Sequence, residues 1–346
     1  MKKPMEKVNI DMNKKDHTRK MWLIVLGGLG LLAFIMMFSI TKGTENIPLA
    51  SLWDALFHFN EKKMNHLVIF NLRIPRVIAS ALVGAALAVS GAIMQGTTGN
   101  PLADSGLLGL NAGAAFALSI CFAFFPGMKY IHIILFSFLG AALGAILVNG
   151  IASMKRGGQT PIRLVLAGAA VSTLLVAMSQ GIALYFNVAQ SIMFWTVGGV
   201  AGSNWEQVRI MLPWIMGGLI GSIVLSPYIS ILSLGQDVAK GLGINIKLVN
   251  LFSSLTVLIL VGASVSVVGS VGFVGLIVPH IVRFFVGMDY KLIIPSTAVM
   301  GALLVVLADL GARTLNPPFE TPIGAIISLI GVPLFLNLAR RQRSAM

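Results

Sequence analysis

About ten apolar runs of about 20 residues each, separated by short polar segments, dominate the chain. A helix of that length crosses the hydrocarbon core of a bilayer. With 56% hydrophobic and only 11% charged residues, the composition is foreign to soluble globular domains. The expected fold class is an all-α polytopic membrane protein of about ten transmembrane helices. Spans are expected near 21–40, 74–94, 105–125, 131–152, 164–186, 210–228, 248–268, 272–286 and 292–310, with a tenth ending near Leu338. Residues 1–20 then form a charged, disordered leader, 21–338 the membrane domain, and 339–346 a short tail.

The net charge of +13 invites a nucleic-acid reading, but position argues against it. The basic residues gather at Lys2–Lys20, Lys155–Arg163, Lys240–Lys247 and Arg340–Arg343, which are the chain ends and alternate loops. That is the bias of loops retained in the cytoplasm. An even number of spans agrees with it, so both termini are expected in the cytoplasm. Met21–Ile40 is too long for a cleaved signal segment and reads as a retained first span. Cys121 is the only cysteine, which excludes disulfide frameworks and cysteine metal cages.

One polar segment is longer than a simple turn requires. Between the sixth and seventh spans, residues 230–247 read SILSLGQDVAKGLGINIK. Leu234, Val238 and Leu242 recur at helical spacing and share one face. Ser233 and Gln236 stand at capping-box spacing, and Gly241 and Gly243 suit a helix end. A two-turn helix outside the bilayer is expected, with Asp237 and Lys240 turned to water or a partner. It is either a connector or a docking element.

Elsewhere chemistry is sparse. Small-residue stretches such as Gly84–Gly91 and Gly140–Gly144 suit close helix packing in lipid. A residue ionisable within a span is the default sign of ion coupling, and the candidate is Asp309. Arg313, four residues on, shares its helix face, so an internal pair competes with a proton relay. His280 has no second ligand at metal spacing, and no phosphate-binding loop ends in Lys-Ser/Thr. Arg73 and Arg76 flank the start of the second span and sit three apart, on one outward face. Snorkelling to headgroups and contact with an acidic partner are both open for them.

Seven blocks in order resemble the permease subunits of bacterial ATP-binding-cassette importers for iron–siderophores, haem and vitamin B12. They are LRIPR (72–76), GAALAVSGAIMQ (84–95), NPLADSGLLG (100–109), RLVLAG (163–168), WTVGG (195–199), GQDVAKGLG (235–243) and GFVGLIVPH (272–280). The resemblance covers nearly everything from Met21 onward. It implies the type II importer permease fold, two permeases (identical or not) around a central pathway, two cytoplasmic ATPases that carry ATP and Mg, and an external substrate-binding protein. The permease itself is then neither an enzyme nor a cofactor protein. It implies an ATPase-coupling role for Leu234, Gly235, Asp237, Val238, Ala239, Lys240, Gly241, Leu242 and Gly243. It also implies docking of the binding protein at Arg73, Arg76 and Arg313, and a cytoplasmic gate at Gln159, Thr160 and Pro161. Pro161 stands where some relatives have a hydroxyl residue. The implied cargo is an Fe(III)–siderophore, with the hydroxamate type favoured and cobalamin or haem as alternatives. A different class, an ion-coupled secondary transporter, would need intramembrane acids or broken helices, and only Asp309 answers that description.

Overall fold

The computed structural model describes residues 3–43, 46–154, 161–197, 199–317 and 319–343, and these form helices and connecting turns with no strand among them. In chain order the helices are α1 (Lys3–Thr41), α2 (Leu49–Phe57), α3 (Met64–Val68), α4 (Ile74–Thr98), α5 (Leu110–Phe124), α6 (Tyr130–Ser153) and α7 (Pro161–Tyr185). They continue with α8 (Ala189–Val197), α9 (Trp205–Leu232), α10 (Gln236–Gly241), α11 (Ile246–Val268), α12 (Val274–Val286), α13 (Tyr290–Thr314) and α14 (Ile323–Arg343). Among the described residues, seven helical stretches are long and apolar enough to cross a membrane, and three shorter apolar ones occupy Leu110–Phe124, Val274–Val286 and Ile323–Leu336. Each expected span therefore has its helix.

Two boundaries differ most from the sequence expectation. The leader is not disordered from Lys3 onward but continues into the first span as one helix. Extending an existing helix avoids the cost of nucleation, and Asp16 pairs with Lys20 at 2.6 Å across one turn. The second span likewise begins earlier, at Met64, and passes through a π-turn at Ile69–Arg73 before Pro75. Proline cannot donate the usual helical bond, and the wider turn absorbs that defect without ending the helix.

α4 is the central post. α13, α11, α12 and α9 surround it, and Val83, Ala86, Ala88, Val89 and Ile93 are fully enclosed. Glycine makes this possible at two crossings. A Cβ on Gly84 would lie 2.2 Å from the Gly301 carbonyl oxygen, and one on Gly91 would lie 2.0 Å from that of Gly275. Packing at such distances supplies the cohesion that the hydrophobic effect cannot supply between helices in lipid.

α5, α6 and α7 form a second packed group, locked by Gly113 against Gly140 and by Gly109 against Gly144. This group meets the rest chiefly through α11. Tyr130 donates to the Ser266 carbonyl at 2.8 Å, and Ser137 donates to that of Gly262 at 3.1 Å. Between the groups, buried Asp104 accepts backbone N–H bonds from Ser105, Gly106 and Phe273. It thus ties the turn before α5 to the start of α12.

Candidate functional site

The two ends of the bundle carry different chemistry, and α4 fixes which is which. Near its start, Trp205 at the head of α9 donates to the Phe70 carbonyl at 2.7 Å. Near its end, Gly96 abuts Ile229 and Tyr290. α10, which follows α9, therefore lies at the end opposite Arg76.

α10 spans Gln236–Gly241 and is a short, detached helix. Its start differs from the expected capping box. Gly235 is the N-cap, with φ of 120° and no side-chain cap, while Ser233 donates to the Ser230 carbonyl at 2.7 Å. A φ that positive suits glycine alone, so backbone geometry sets the boundary. Gly241 remains inside the last turn, and Gly243, with φ of 76°, carries the left-handed residue. Ala239 is buried against Leu232 and Val249 and anchors the helix to the bundle.

The opposite face of α10 is exposed among the described residues. Leu234, Val238 and Leu242 are 69%, 47% and 63% exposed. Asp237 and Lys240 flank them, 3.8 Å apart and largely in solvent. Leu234, Val238 and Leu242 thus form an exposed apolar stripe edged by one acid and one base. The segment behind it is held firmly. Ser230 donates to Asp289 at 2.8 Å and receives the Tyr290 N–H at 2.8 Å. Arg283 in turn reaches both Gln95 and Tyr290, and Gln95 donates to the Gly275 carbonyl at 3.0 Å.

At the other end, Arg73, Arg76 and Arg313 were expected on an exposed outward face. They are instead 8%, 8% and 6% exposed. Asp309, with no exposed surface, lies 2.9 Å from both Arg76 and Arg313. Arg76 also holds Glu320 in a bidentate grip at 2.7 and 3.1 Å. Arg313 additionally donates to Ser39 and to the Lys42 carbonyl, and Arg73 donates to the Ile40 carbonyl at 2.7 Å. A fully buried carboxylate requires compensating cations, and this requirement draws Arg76 and Arg313 inward. The Asp309–Arg313 pair anticipated from spacing is thus one half of a four-residue network. Asp309 is consumed by two guanidinium groups, an arrangement unlike a proton relay.

Glu320 and the Gln95–Arg283–Tyr290 cluster escaped the sequence reading. Glu320 sits in a proline-rich turn far from Arg76 in sequence, and only an imbalance of buried arginines over acids could have pointed to it. Gln95, a polar residue closing an apolar run, was the available signal for the second cluster. Of the expected gate, Gln159 and Thr160 lie outside the described residues, and Pro161 opens α7.

The FecCD transport family model matches residues 31–341. The iron(3+)-hydroxamate import system permease protein FhuB of Bacillus subtilis (strain 168) is 51% identical over 93% of this chain and 84% of its own length. The iron-uptake system permease protein FeuB of the same organism is 38% identical over 96% of this chain and 98% of its own. Among solved structures, an inward-facing conformation of a metal-chelate type ABC transporter superposes with a TM-score of 0.77 at 29% identity, covering 92% of this chain and 99% of the other. With family model, relatives and architecture in agreement, the chain belongs to the FecCD transport family and is a membrane-embedded permease subunit of an ATP-binding-cassette importer.

Proposed function

We propose that this permease carries an Fe(III)–siderophore of the hydroxamate type across the cytoplasmic membrane. The observation that carries this reading is the 51% identity, over 93% of the chain, to a permease of iron(3+)-hydroxamate import. The membrane domain adds a compatible feature. Its buried acid Asp309 is neutralised internally, which suits passage of a pre-chelated, bulky cargo without ion coupling.

In this reading two permeases, identical or paralogous, enclose the pathway, and two ATPase subunits bind ATP and Mg on the cytoplasmic side. Both termini lie on that side, as the basic chain ends favour. The exposed stripe Leu234, Val238 and Leu242, with Gly235, Asp237, Ala239, Lys240, Gly241 and Gly243 shaping and flanking it, fits a cleft of the ATPase. ATPase closure then moves the subunits as rigid bodies between two states. Gln159, Thr160 and Pro161 narrow the cytoplasmic exit.

An extracytoplasmic binding protein docks over Arg73, Arg76 and Arg313. Because these side chains already have partners, an acidic residue of the docking protein competes with Glu320, the half-exposed carboxylate on Arg76. Uptake of 55Fe-labelled hydroxamate, catecholate and citrate chelates, haem and labelled cobalamin by a deletion strain complemented with this chain tests the cargo. Selective recovery of hydroxamate uptake is expected, and recovery of only another cargo refutes the reading.

A further inference from the structure

At the α10 end, a cavity of about 670 Å³ lies between α4, α6, α7 and α11. This is a normal size for a small-ligand site. Its wall changes character from one side to the other. Ile146, Leu251 and Leu255 line it and are also 69%, 53% and 45% exposed, so it opens onto the apolar flank of the bundle. Thr97, Asn100 and Gln236 line its other side, next to α10.

Two side-chain oxygens on the wall have no hydrogen-bond partner among the described residues: Asn250 Oδ1 and Ser253 Oγ, the latter in a residue only 2% exposed. Buried polar oxygens in native proteins are nearly always paired, and leaving them unpaired is costly. Asn250 Oδ1 can only accept, so it calls for a donor. No lysine or arginine is among the described lining residues, so none of these residues would neutralise a phosphate. Asp104, also on the wall, already accepts backbone N–H bonds.

We propose that this cavity binds an uncharged, single-chain amphiphile with a hydroxyl headgroup, of the monoacylglycerol class. Its hydroxyls bond Asn250 and Ser253, and its chain lies along Ile146, Leu251 and Leu255 toward the lipid. Such a ligand sits where the α5–α7 group meets α4 and α11, directly beside the helix that docks the ATPase. The site is independent of which chelate the importer carries.

The full-length chain, purified into phosphatidylcholine nanodiscs, is titrated with 1-monooleoylglycerol and followed by native mass spectrometry and thermal unfolding. Lysophosphatidylglycerol with the same acyl chain is the anionic control. Saturable one-to-one binding of monooleoylglycerol with a raised Tm is expected, with the anionic probe at least tenfold weaker. The pair Asn250→Leu and Ser253→Ala should weaken binding about fivefold for each hydrogen bond lost. Ala145→Phe, which fills the cavity, should abolish binding; if that variant does not fold, the polar pair decides alone. Absence of saturable binding means that the cavity holds only water, and the proposal fails. Unchanged affinity in the polar pair, or equal binding of the anionic probe, also overturns it.

Discussion

Arg76 and Asp309 lie 2.9 Å apart although 233 residues of chain separate them. The pair fastens the first turn of α4, the most enclosed helix, to α13, its principal neighbour. Arg313 completes it from one helical turn further along α13, also at 2.9 Å from the carboxylate. Removing one member leaves a buried charge without compensation, which costs about 3–5 kcal/mol in buried ion pairs generally. Arg76→Ala should therefore lower the melting temperature of the purified protein sharply. Arg76→Ala combined with Asp309→Asn should recover part of that loss. A double variant no better than the single one would show that the arginine acts by packing alone.

Glycine substitutions should separate by neighbourhood. Gly84→Ala places a methyl group 2.2 Å from the Gly301 carbonyl oxygen, and forcing such a contact costs about 1–3 kcal/mol or more. Gly30→Ala meets nothing within 4 Å and gains helix propensity. Thermal unfolding should show Gly84→Ala clearly destabilised and Gly30→Ala unchanged or slightly more stable.

Coupling should fail without misfolding when α10 is altered. Gly241 has open space around it and Asp237 is fully solvated, so Gly241→Leu and Asp237→Lys leave the bundle intact. Both variants should appear in the membrane at normal levels, lose uptake and fail to retain the ATPase on purification. Normal uptake by both would reduce α10 to a connector.

Topology is open to direct assay. A phosphatase fused after Met346 should be inactive in intact cells, whereas a fusion within 58–63 should be active. The reverse pattern would invert the orientation of the whole chain.

The segment outside the spans has its own acid limit. Lys63, at 2.5 Å, holds the Asp54 carboxyl below its ordinary value of 3.8, with His66 also adjacent at 3.2 Å. A lowered folded-state pKa means the contact contributes fully above the ordinary value and is lost as pH falls through the folded one. Amide exchange in α2 should therefore show no carboxylate-driven change from pH 7 down to 5, after correction for intrinsic rates. It should rise only below the ordinary carboxylate range, and Asp54→Asn should abolish that step.

By itself, the sequence determined the number, order and approximate limits of the ten apolar helices. Bilayer thickness favours long unbroken apolar runs, which seven helices supply in full and three shorter ones in part, so that property is written locally. The α10 segment was legible for the same reason, since Leu234, Val238 and Leu242 share a face through helical spacing alone. Its starting residue was not, because Gly235 is selected by a backbone angle rather than by a side-chain pattern. Tertiary structure alone decided that Arg73, Arg76 and Arg313 turn inward, that Glu320 is the second acid for Arg76, and that Asn250 and Ser253 face a shared cavity. Those outcomes depend on how each helix is rotated and how closely glycine lets it approach its neighbours. Such contacts join residues hundreds of positions apart, and no local period records them.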